Sequence, residues 1–551
     1  MNSNTIDASM MARMFLAGAR NLELKKEWIN ELNVFPVPDG DTGTNMTLTI
    51  QSAAEEVKTL ETVTLESVSK AISSGSLRGA RGNSGVILSQ LFRGCSKVWR
   101  NESVVNTENT ARAFQKAVET AYKAVMKPKE GTILTVAKAG ADRANELVLA
   151  CPEIELEDFL RGVIDHMQVV LDQTPDMLPV LKEAGVVDSG GQGLLQIMKG
   201  CFNAFLGIEE EEEARPEIRQ YAYRTEFILK NREHISREER LGFVAFLEEQ
   251  GADVAAERCE EGLKVHINSD DPGVVLSKAL NYGYLSRIHV INNEERPQYP
   301  LHIFEEDELK EAMADLREDP EEEEAPESAM PHKEVGFIAV SIGEGLGSIF
   351  RELGADCLIE GGQTMNPSTQ DIMTAVEKVN ADSIFILPNN KNIILAAEQA
   401  QNMIHDKEII VVPSKTIPQG ITALVNYLPD KSVRDNEAMM REEIHLVKTV
   451  EITYAIRDTK IDEHTIHAGD IMGVADSGIV SVGSGIGDTA FDSVKKLVDE
   501  ESELISLYYG KDVSEEDAEA LGEQLREEFP DCEVEVASGG QPLYYYIISI
   551  E

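Results

Sequence analysis

The chain has little positive charge, few aromatics, no closely spaced cysteines and no histidine before His166. Each scarcity excludes something. Lysine and arginine number 51 against 98 acids, a net charge of −47, so the long-range field repels phosphate polymers and anionic lipid. A general nucleic-acid binder or a polybasic membrane-surface protein is excluded. Cys95, Cys151, Cys201, Cys259, Cys357 and Cys532 are scattered along the sequence, giving neither a disulfide framework nor a zinc ribbon, and a reduced cytoplasmic setting is expected. No apolar run reaches the roughly 18 residues of a membrane span. Arg13 and Arg20 interrupt the N-terminal apolar stretch, so no signal peptide is read there. No GxxxxGK[ST] occurs, which excludes a P-loop.

The 551 residues are enough for three to five domains, and two acidic runs divide them. Glu209 to Glu213 is an unbroken block, and Glu305 to Glu324 holds 12 acids and 2 bases before Pro326 and Pro331. Like charges with proline resist packing and read as linkers, although the first half of the second run also suits a helix surface. The expected division is 1–208, 216–304, an acidic linker at 305–331, and 332–551. In the first segment apolar residues recur three or four apart over Met11–Leu32, Ser73–Gln90, Ala111–Met126, Leu134–Leu149 and Gly193–Phe205, which predicts an all-α domain. The short middle segment reads as mixed α/β, with Leu241–Glu248 helix or strand and Lys264–Ile267 a strand. In the last segment the β-rich runs Gly336–Ile342, Ser383–Leu387 and Ile409–Val412 alternate with helical stretches such as Ile393–Ile404. That pattern predicts an α/β domain with a largely parallel sheet.

Two stretches carry the chemistry. In NVFPVPDGDTGTNM, Pro36 and Pro38 stop the preceding helix, and Asp39 and Asp41 flank Gly40 in a tight loop. Paired carboxylates with short polar neighbours (Thr42, Thr44, Asn45) make a hard-oxygen site suited to Mg²⁺ shared with phosphates; the bland alternative is an Asx-rich turn capping the next helix. In SGSLRGARGNSGVILSQL, Gly79, Gly82 and Gly85 allow close backbone approach, and Asn83 and Ser84 sit where a helix begins, whose free N–H groups can bind phosphate. Between Ala71 and Arg100 there is no acid and there are five bases, Arg78, Arg81, Arg93, Lys97 and Arg100. They suit an anion site or, more plainly, a helix face paired with acids elsewhere. SIGEGLG, with Gly343, Gly345 and Gly347, is a weak variant of a dinucleotide loop, and three GGQ triplets are treated as chance. Neither chemistry-bearing loop has a local histidine. A carboxylate acceptor, already ionised at neutral pH, needs no base, whereas an alcohol does.

These residues resemble a known family. LNVFPVPDGDTGTNM and RGARGNSGVILSQ are similar to the ADP-binding subunits of dihydroxyacetone kinases, and most of all to the FakA-like fatty acid kinases of Gram-positive bacteria. IEGGQTMNPSTQDI, LPNNKNIILAAEQA, PSKTIPQGI, YAIRDTKID, YYGKDVS and GGQPLYYYIISIE extend the resemblance over nearly the whole chain. It implies a multidomain α and α/β protein whose N-terminal all-α helical barrel (DhaL-like) holds ATP and two Mg²⁺ ions. Asp39 and Asp41 match the metal pair, with Asn33 aligned to a third ligand. Thr42, Thr44, Asn45, Asn83, Ser84 and Gly85 match phosphate-binding positions, while Thr132, Asp188 and Gly190 fall in segments lining the nucleotide pocket. The implied reaction is phosphorylation of a fatty acid carboxylate presented by a separate DegV-type carrier, by a homodimer whose C-terminal domain docks that carrier. Where relatives carry a cysteine and a second histidine in the middle domain, this chain has Arg224 and Asn268, leaving His266. No zinc is expected there. The rivals are a glycerone-type kinase and a nucleotide-responsive scaffold; against the first, no C-terminal histidine lies in a Gly-rich motif.

Overall fold

The computed structural model describes residues 4–33, 40–125, 128–208, 223–231, 243, 246–247, 250–259, 262–292, 332–362, 366–455, 459–461, 464–467, 469–475 and 478–551. Both acidic runs, and Asp39, lie outside the described residues. The chain forms two compact units, one of residues 1–209 with 328–551 and the other of residues 210–327.

The first unit begins as a bundle: α1 (Ala8–Leu24), α2 (Lys26–Leu32), α3 (Thr42–Lys58), α4 (Leu65–Arg78), α5 (Gly82–Trp99), α6 (Thr107–Ala124), α7 (Ile133–Ala150), α8 (Leu156–Asp172), the short α9 (Thr174–Met177) and α10 (Pro179–Ala184), and α11 (Ser189–Leu206). Local chemistry sets these starts. Asp7 accepts from the Met10 N–H to cap α1, and reciprocal side-chain and backbone bonds cap α4 (Thr64/Ser67) and α6 (Asn106/Asn109). The apolar stripes then meet in one core that includes Phe15, Met46, Leu88, Phe159 and Leu195. Truncating fully buried Phe159 to alanine should cost about 3–5 kcal/mol. Inside the bundle lies an apolar cavity of about 150 Å³, edged by Phe15, Phe92, Phe114 and Met167. A void of this order holds a benzene-sized guest. The run Ser73–Gln90, read from sequence as helical throughout, is broken at residues 79–81, where α4 hands over to α5.

The second unit holds β1 (Tyr223–Asn231), β2 (Gly251–Cys259), β3 (Gly262–Ser269), α12 (Pro272–Ala279) and β4 (Gly283–Asn292), with an antiparallel sheet ordered β2-β3-β1-β4. Phe227, Phe243, Leu247 and Val265 form its core.

The first unit resumes with β5 (Lys333–Ser341), α13 (Glu344–Glu352), β6 (Cys357–Glu360), α14 (Thr369–Lys378), β7 (Ala381–Leu387), α15 (Ile394–Met403), β8 (Glu408–Val411), α16 (Ile417–Val425) and α17 (Val433–Glu443). Its four strands are all parallel, in the order β6-β5-β7-β8, as the β/α alternation predicts. Both faces are buried. Ile338, Val340, Ile384 and Ile386 point to one side, where they share a core with Ala80 and Val86 at the α4–α5 junction. Phe337, Ala339, Phe385 and Leu387 point to the other. The parallel sheet is therefore packed directly on the helical bundle.

The rest departs from the sequence reading: β9 (Lys448–Tyr454), the hairpin β10 (Thr459–Ile461) and β11 (His464–Ile466), β12 (Ile471–Ala475), β13 (Gly478–Gly483), α18 (Ile486–Leu497), β14 (Leu504–Tyr509), α19 (Glu515–Glu528), β15 (Glu533–Ser538) and β16 (Tyr546–Ile550). Its six-stranded sheet, β13-β12-β9-β16-β14-β15, is antiparallel except for β14–β15. The glycine-rich SIGEGLG turn packs here: a Cβ on Gly345 would lie 1.9 Å from the Ser538 carbonyl oxygen, and Gly343 has φ +96°. The Leu346 N–H donates to Gly539 O at 3.1 Å. These glycines admit a neighbouring backbone, the last GGQ segment, which accounts for both motifs without a nucleotide.

Candidate functional site

Asp41 is the N-terminal flanking residue of α3, yet its side chain makes no capping bond, and it is only 8% exposed. Thr42 opens the helix. Thr44 is held by Asn30, which accepts from the Thr44 N–H at 3.1 Å and donates to its Oγ1 at 3.0 Å. Asn45 reaches toward α5. Gly82, with φ +58°, starts α5 so close to α3 that a Cβ there would lie 2.5 Å from Asn45 Nδ2. One turn on, a Cβ on Gly85 would lie 2.3 Å from Thr49 Oγ1. The sequence reading gave the close approach allowed by these glycines to a ligand. The structure gives it to α3, so that the first turns of α3 and α5 touch, with Asn83 and Ser84 on the first turn of α5.

A second pair of helix starts meets in the same way. Thr132 flanks α7, its Oγ1 donating to Lys129 O at 2.8 Å. Asp188 caps α11, accepting from the Gly191 N–H at 2.7 Å. It is also bonded by the Ile133 N–H, so one carboxylate ties the starts of α7 and α11 together. Burial pushes the Asp188 carboxyl up to about 6 against the pull of those two N–H groups. A Cβ on Gly190 would lie 3.2 Å from Ile133 Cβ. Met46, in the second turn of α3, fills the space where Gly193, in the second turn of α11, lacks a side chain; its Sδ is 2.7 Å from that Cβ position. The two pairs are thus joined at the same end of the bundle. The positive ends of α3, α5, α7 and α11 converge there, a preformed environment for an anion. Asn33 lies just past α2, its N–H donating to Asn30 O. Asp39 is outside the described residues.

The C-terminal segment supplies residues to this end of the bundle that the sequence reading did not assign. Asn366 Nδ2 donates to Asp41 Oδ2 at 2.5 Å, and the Asn366 carbonyl accepts from Arg81 at 2.9 Å. Arg81 also pairs with Asp371 at 3.3 Å. Asn83 donates to Asn392 Oδ1 at 3.1 Å. Asn366 and Asn392 sit in the loops that follow β6 and β7, the ends of parallel strands where open α/β sheets place their ligands. Their signal was present: both lie in the long motifs TMNPSTQDI and LPNNKN.

Burial raises the Asp41 carboxyl, with the Asn45 and Asn366 amides opposing it. No cation among the described residues forms an ion pair with it. The Asn366 Oδ1 beside it is buried with no hydrogen-bond partner among the described residues. A buried carboxyl held by amides but by no cation among the described residues, next to an amide oxygen with no partner among them, is a donor set that fits a hard cation such as Mg²⁺.

Residues 36–203 match the DAK2 domain, 220–297 the middle domain of FakA-like fatty acid kinases, and 336–551 their C-terminal domain. Protein YloV of Bacillus subtilis (strain 168) is 40% identical over 572 aligned positions, covering 100% of both chains. The chain belongs to the FakA-like fatty acid kinase family. An uncharacterised protein of Staphylococcus aureus (strain USA300) is 39% identical over 569 positions and 99% of each chain. Among solved structures, a DegV family protein of Corynebacterium glutamicum is 15% identical, covering 39% of this chain and 97% of its own, with a TM-score of 0.32. The dihydroxyacetone kinase of C. freundii in complex with AMP-PNP and Mg²⁺ is 18% identical over 36% of this chain and 34% of its own, at 0.28. At such scores neither bears on the argument.

Membership in this family places the chain among kinases. Among the described residues no helix is long and apolar enough to cross a membrane. In the second unit Arg224 and Asn268, the two positions the sequence reading singled out there, are direct cross-strand partners on β1 and β3.

Proposed function

We propose that this chain is the ATP-dependent component of a fatty acid kinase, transferring phosphate to the carboxylate of a fatty acid presented by a separate DegV-type carrier. The observation that carries the reading is the meeting of four helix N-termini beside buried Asp41, in a chain that aligns with its family from end to end. ATP phosphates would lie against the first turns of α3 and α5, held by N–H groups and by Thr42, Thr44, Asn45, Asn83, Ser84 and Gly85. Thr132, Asp188 and Gly190 would border the rest of the nucleotide. Asp41, with Asp39 and Asn33, would hold Mg²⁺, which when bound supplies neutralisation of phosphate charge. The acyl carboxylate is already a nucleophile at neutral pH, so the protein need only position it and exclude water. The product is an acyl phosphate, a precursor suited to phospholipid synthesis. We further propose a cytoplasmic homodimer with 1–208 as the kinase region, 216–304 as a middle domain and 332–551 as the carrier-docking region.

A specific contact favours a second reading. Asn366 and Asn392 already engage Asp41 and Asn83, as they would in a protein whose output is a nucleotide-controlled change in partner binding. One experiment separates the two. Purified protein, ATP, Mg²⁺ and a carrier loaded with a long-chain fatty acid should give a hydroxylamine-trappable acyl phosphate. Turnover of dihydroxyacetone instead, or nucleotide binding with no turnover, overturns the kinase assignment.

A further inference from the structure

Of the five bases between Ala71 and Arg100, two are accounted for near the candidate site: Arg78 pairs with Glu56 and Arg81 with Asp371. Arg93 and Lys97 are not. They lie four residues apart on one face of α5, about 15–21 Å along the helix from Asn83 at 1.5 Å per residue. There they border a cleft of about 610 Å³ between α5 and α6 of the bundle and α15 of the parallel-sheet region. Lys116 and Lys123 face it from α6, seven residues apart and so on one side of that helix. Two carboxylates also line it, Glu119 and Glu398, and Glu119 is already paired with Lys116 at 2.9 Å. Among the described residues none forms an ion pair with Arg93, Lys97 or Lys123. Lys97, though largely exposed, is held below its usual range by partial burial first, and then by repulsion from Arg93, Lys116, Lys123 and Arg100.

A chain with a net charge of −47 has acids to spare for neutralising these groups, yet leaves them facing one another. The C-terminal end of α5 favours a cation at Lys97, but that gives no reason for Lys116 and Lys123 to converge from a different helix. The opposite wall is of another kind. Leu395 and Met403 of α15 offer apolar surface. At the base, buried Gln90 donates to Gln399 Oε1 at 2.8 Å, which fixes α15 against α5. The cleft volume falls within the few hundred to a thousand Å³ of small-molecule sites.

We propose that this cleft is a second anion site, separate from the candidate kinase site, and that it binds a small organic phosphate. The phosphate dianion lies among Arg93, Lys97 and Lys123, and a short apolar body rests on Leu395 and Met403. Since the walls come from both the bundle and the sheet region, an occupant holds the two together. The assignment does not depend on the identity of the phosphoryl acceptor.

The test is calorimetric titration of the full chain with decyl phosphate, with pyrophosphate and decanoate as comparisons. Decyl phosphate should bind saturably, more tightly than pyrophosphate, which lacks the apolar body, and more tightly than decanoate, which carries a single charge. Its affinity should fall as salt is raised, because the cations are exposed to screening. Lys97→Gln with Lys123→Gln should weaken it at least about tenfold, the loss of one or two charge-assisted bonds, while ADP affinity is unchanged. The charge-conserving pair Arg93→Lys and Lys97→Arg should keep most of the affinity, and melting curves report whether each variant folds. Equal binding by wild type and the double glutamine variant would place the ligand elsewhere and overturn the proposal. So would the absence of saturable binding, or decanoate binding as tightly as decyl phosphate.

Discussion

At its first turn α5 offers an anion backbone N–H groups and small uncharged side chains, Gly82, Asn83, Ser84 and Gly85, backed by the start of α3. Three turns later the same helix carries Arg93 and Lys97 into a cleft with Lys116 and Lys123. The first arrangement fixes its partial charges in the helix geometry, so it needs no flexible cation and leaves room for a metal beside Asp41. The second relies on long, exposed side chains that can move and are screened by salt. Within one helix, a geometry-fixed anion environment sits at one end and an adaptable one at the other. Substitutions at the first should act on chemistry and fold, and those at the second on charge alone.

The largest effect should come from Asp41→Asn. It keeps the shape and the bond to Asn366 but removes the buried negative charge on which a cation depends. Acyl phosphate formation should fall at least about 100-fold, with the melting temperature held or raised, since burial disfavours the charge being removed. Full activity in this variant would remove Asp41 from the metal assignment.

Gly82→Ala attacks the geometry itself. The new Cβ would meet Asn45 Nδ2 at 2.5 Å, with φ held at +58°, so α5 must shift away from α3. A loss of about 2 kcal/mol or more in unfolding free energy is expected, together with weaker ADP binding. Unchanged stability and ADP affinity would show that the contact between the two first turns is not needed.

Much of this end of the bundle was legible because its residues lie close together in sequence. DGDTGTN and RGNSG each combine helix-start residues with glycines, and each opens a helix where local chemistry says it should. What the glycines are for was not legible: Gly82 and Gly85 serve contact with Asn45 and Thr49, more than 30 residues away, and periodicity carries no trace of that. Asn366 was missed for the same reason, being 325 residues from Asp41. The parallel sheet could be read from its buried strands and intervening helices. The six-stranded sheet could not, because β16 and β9 become neighbours only through long-range pairing.

Asp188 tests the other pair of helix starts. Its carboxyl, pushed up to about 6 from an ordinary 3.8, favours the protonated form in the folded state. The stability it contributes is complete below about pH 4 and is lost as pH rises through about 6. Asp188→Asn retains an acceptor for the Gly191 N–H and cannot titrate. The wild type should therefore lose stability relative to the variant between about pH 4 and 7, by up to about 3 kcal/mol, with no further change above that. A difference that stays flat over this range would mean that Asp188 is not held protonated.

The smallest effect belongs to the basic cleft. Lys97 is exposed, and its neighbours are cations, so Lys97→Gln removes repulsion and no ion pair with a described residue. Without added phosphate the variant should melt slightly higher than wild type at low salt, by about 1–2 °C. That advantage should disappear near 1 M salt, where the Debye length falls to about 3 Å. Basal acyl phosphate formation should not change, because Lys97 lies about 21 Å along α5 from Asn83 at the candidate kinase site. A variant that melts lower at low salt would mean that Lys97 has a stabilising partner, and the contrast between the two ends of α5 would then reduce to one of position. A gain that persists in high salt would point to packing by the glutamine, leaving the charge argument without support.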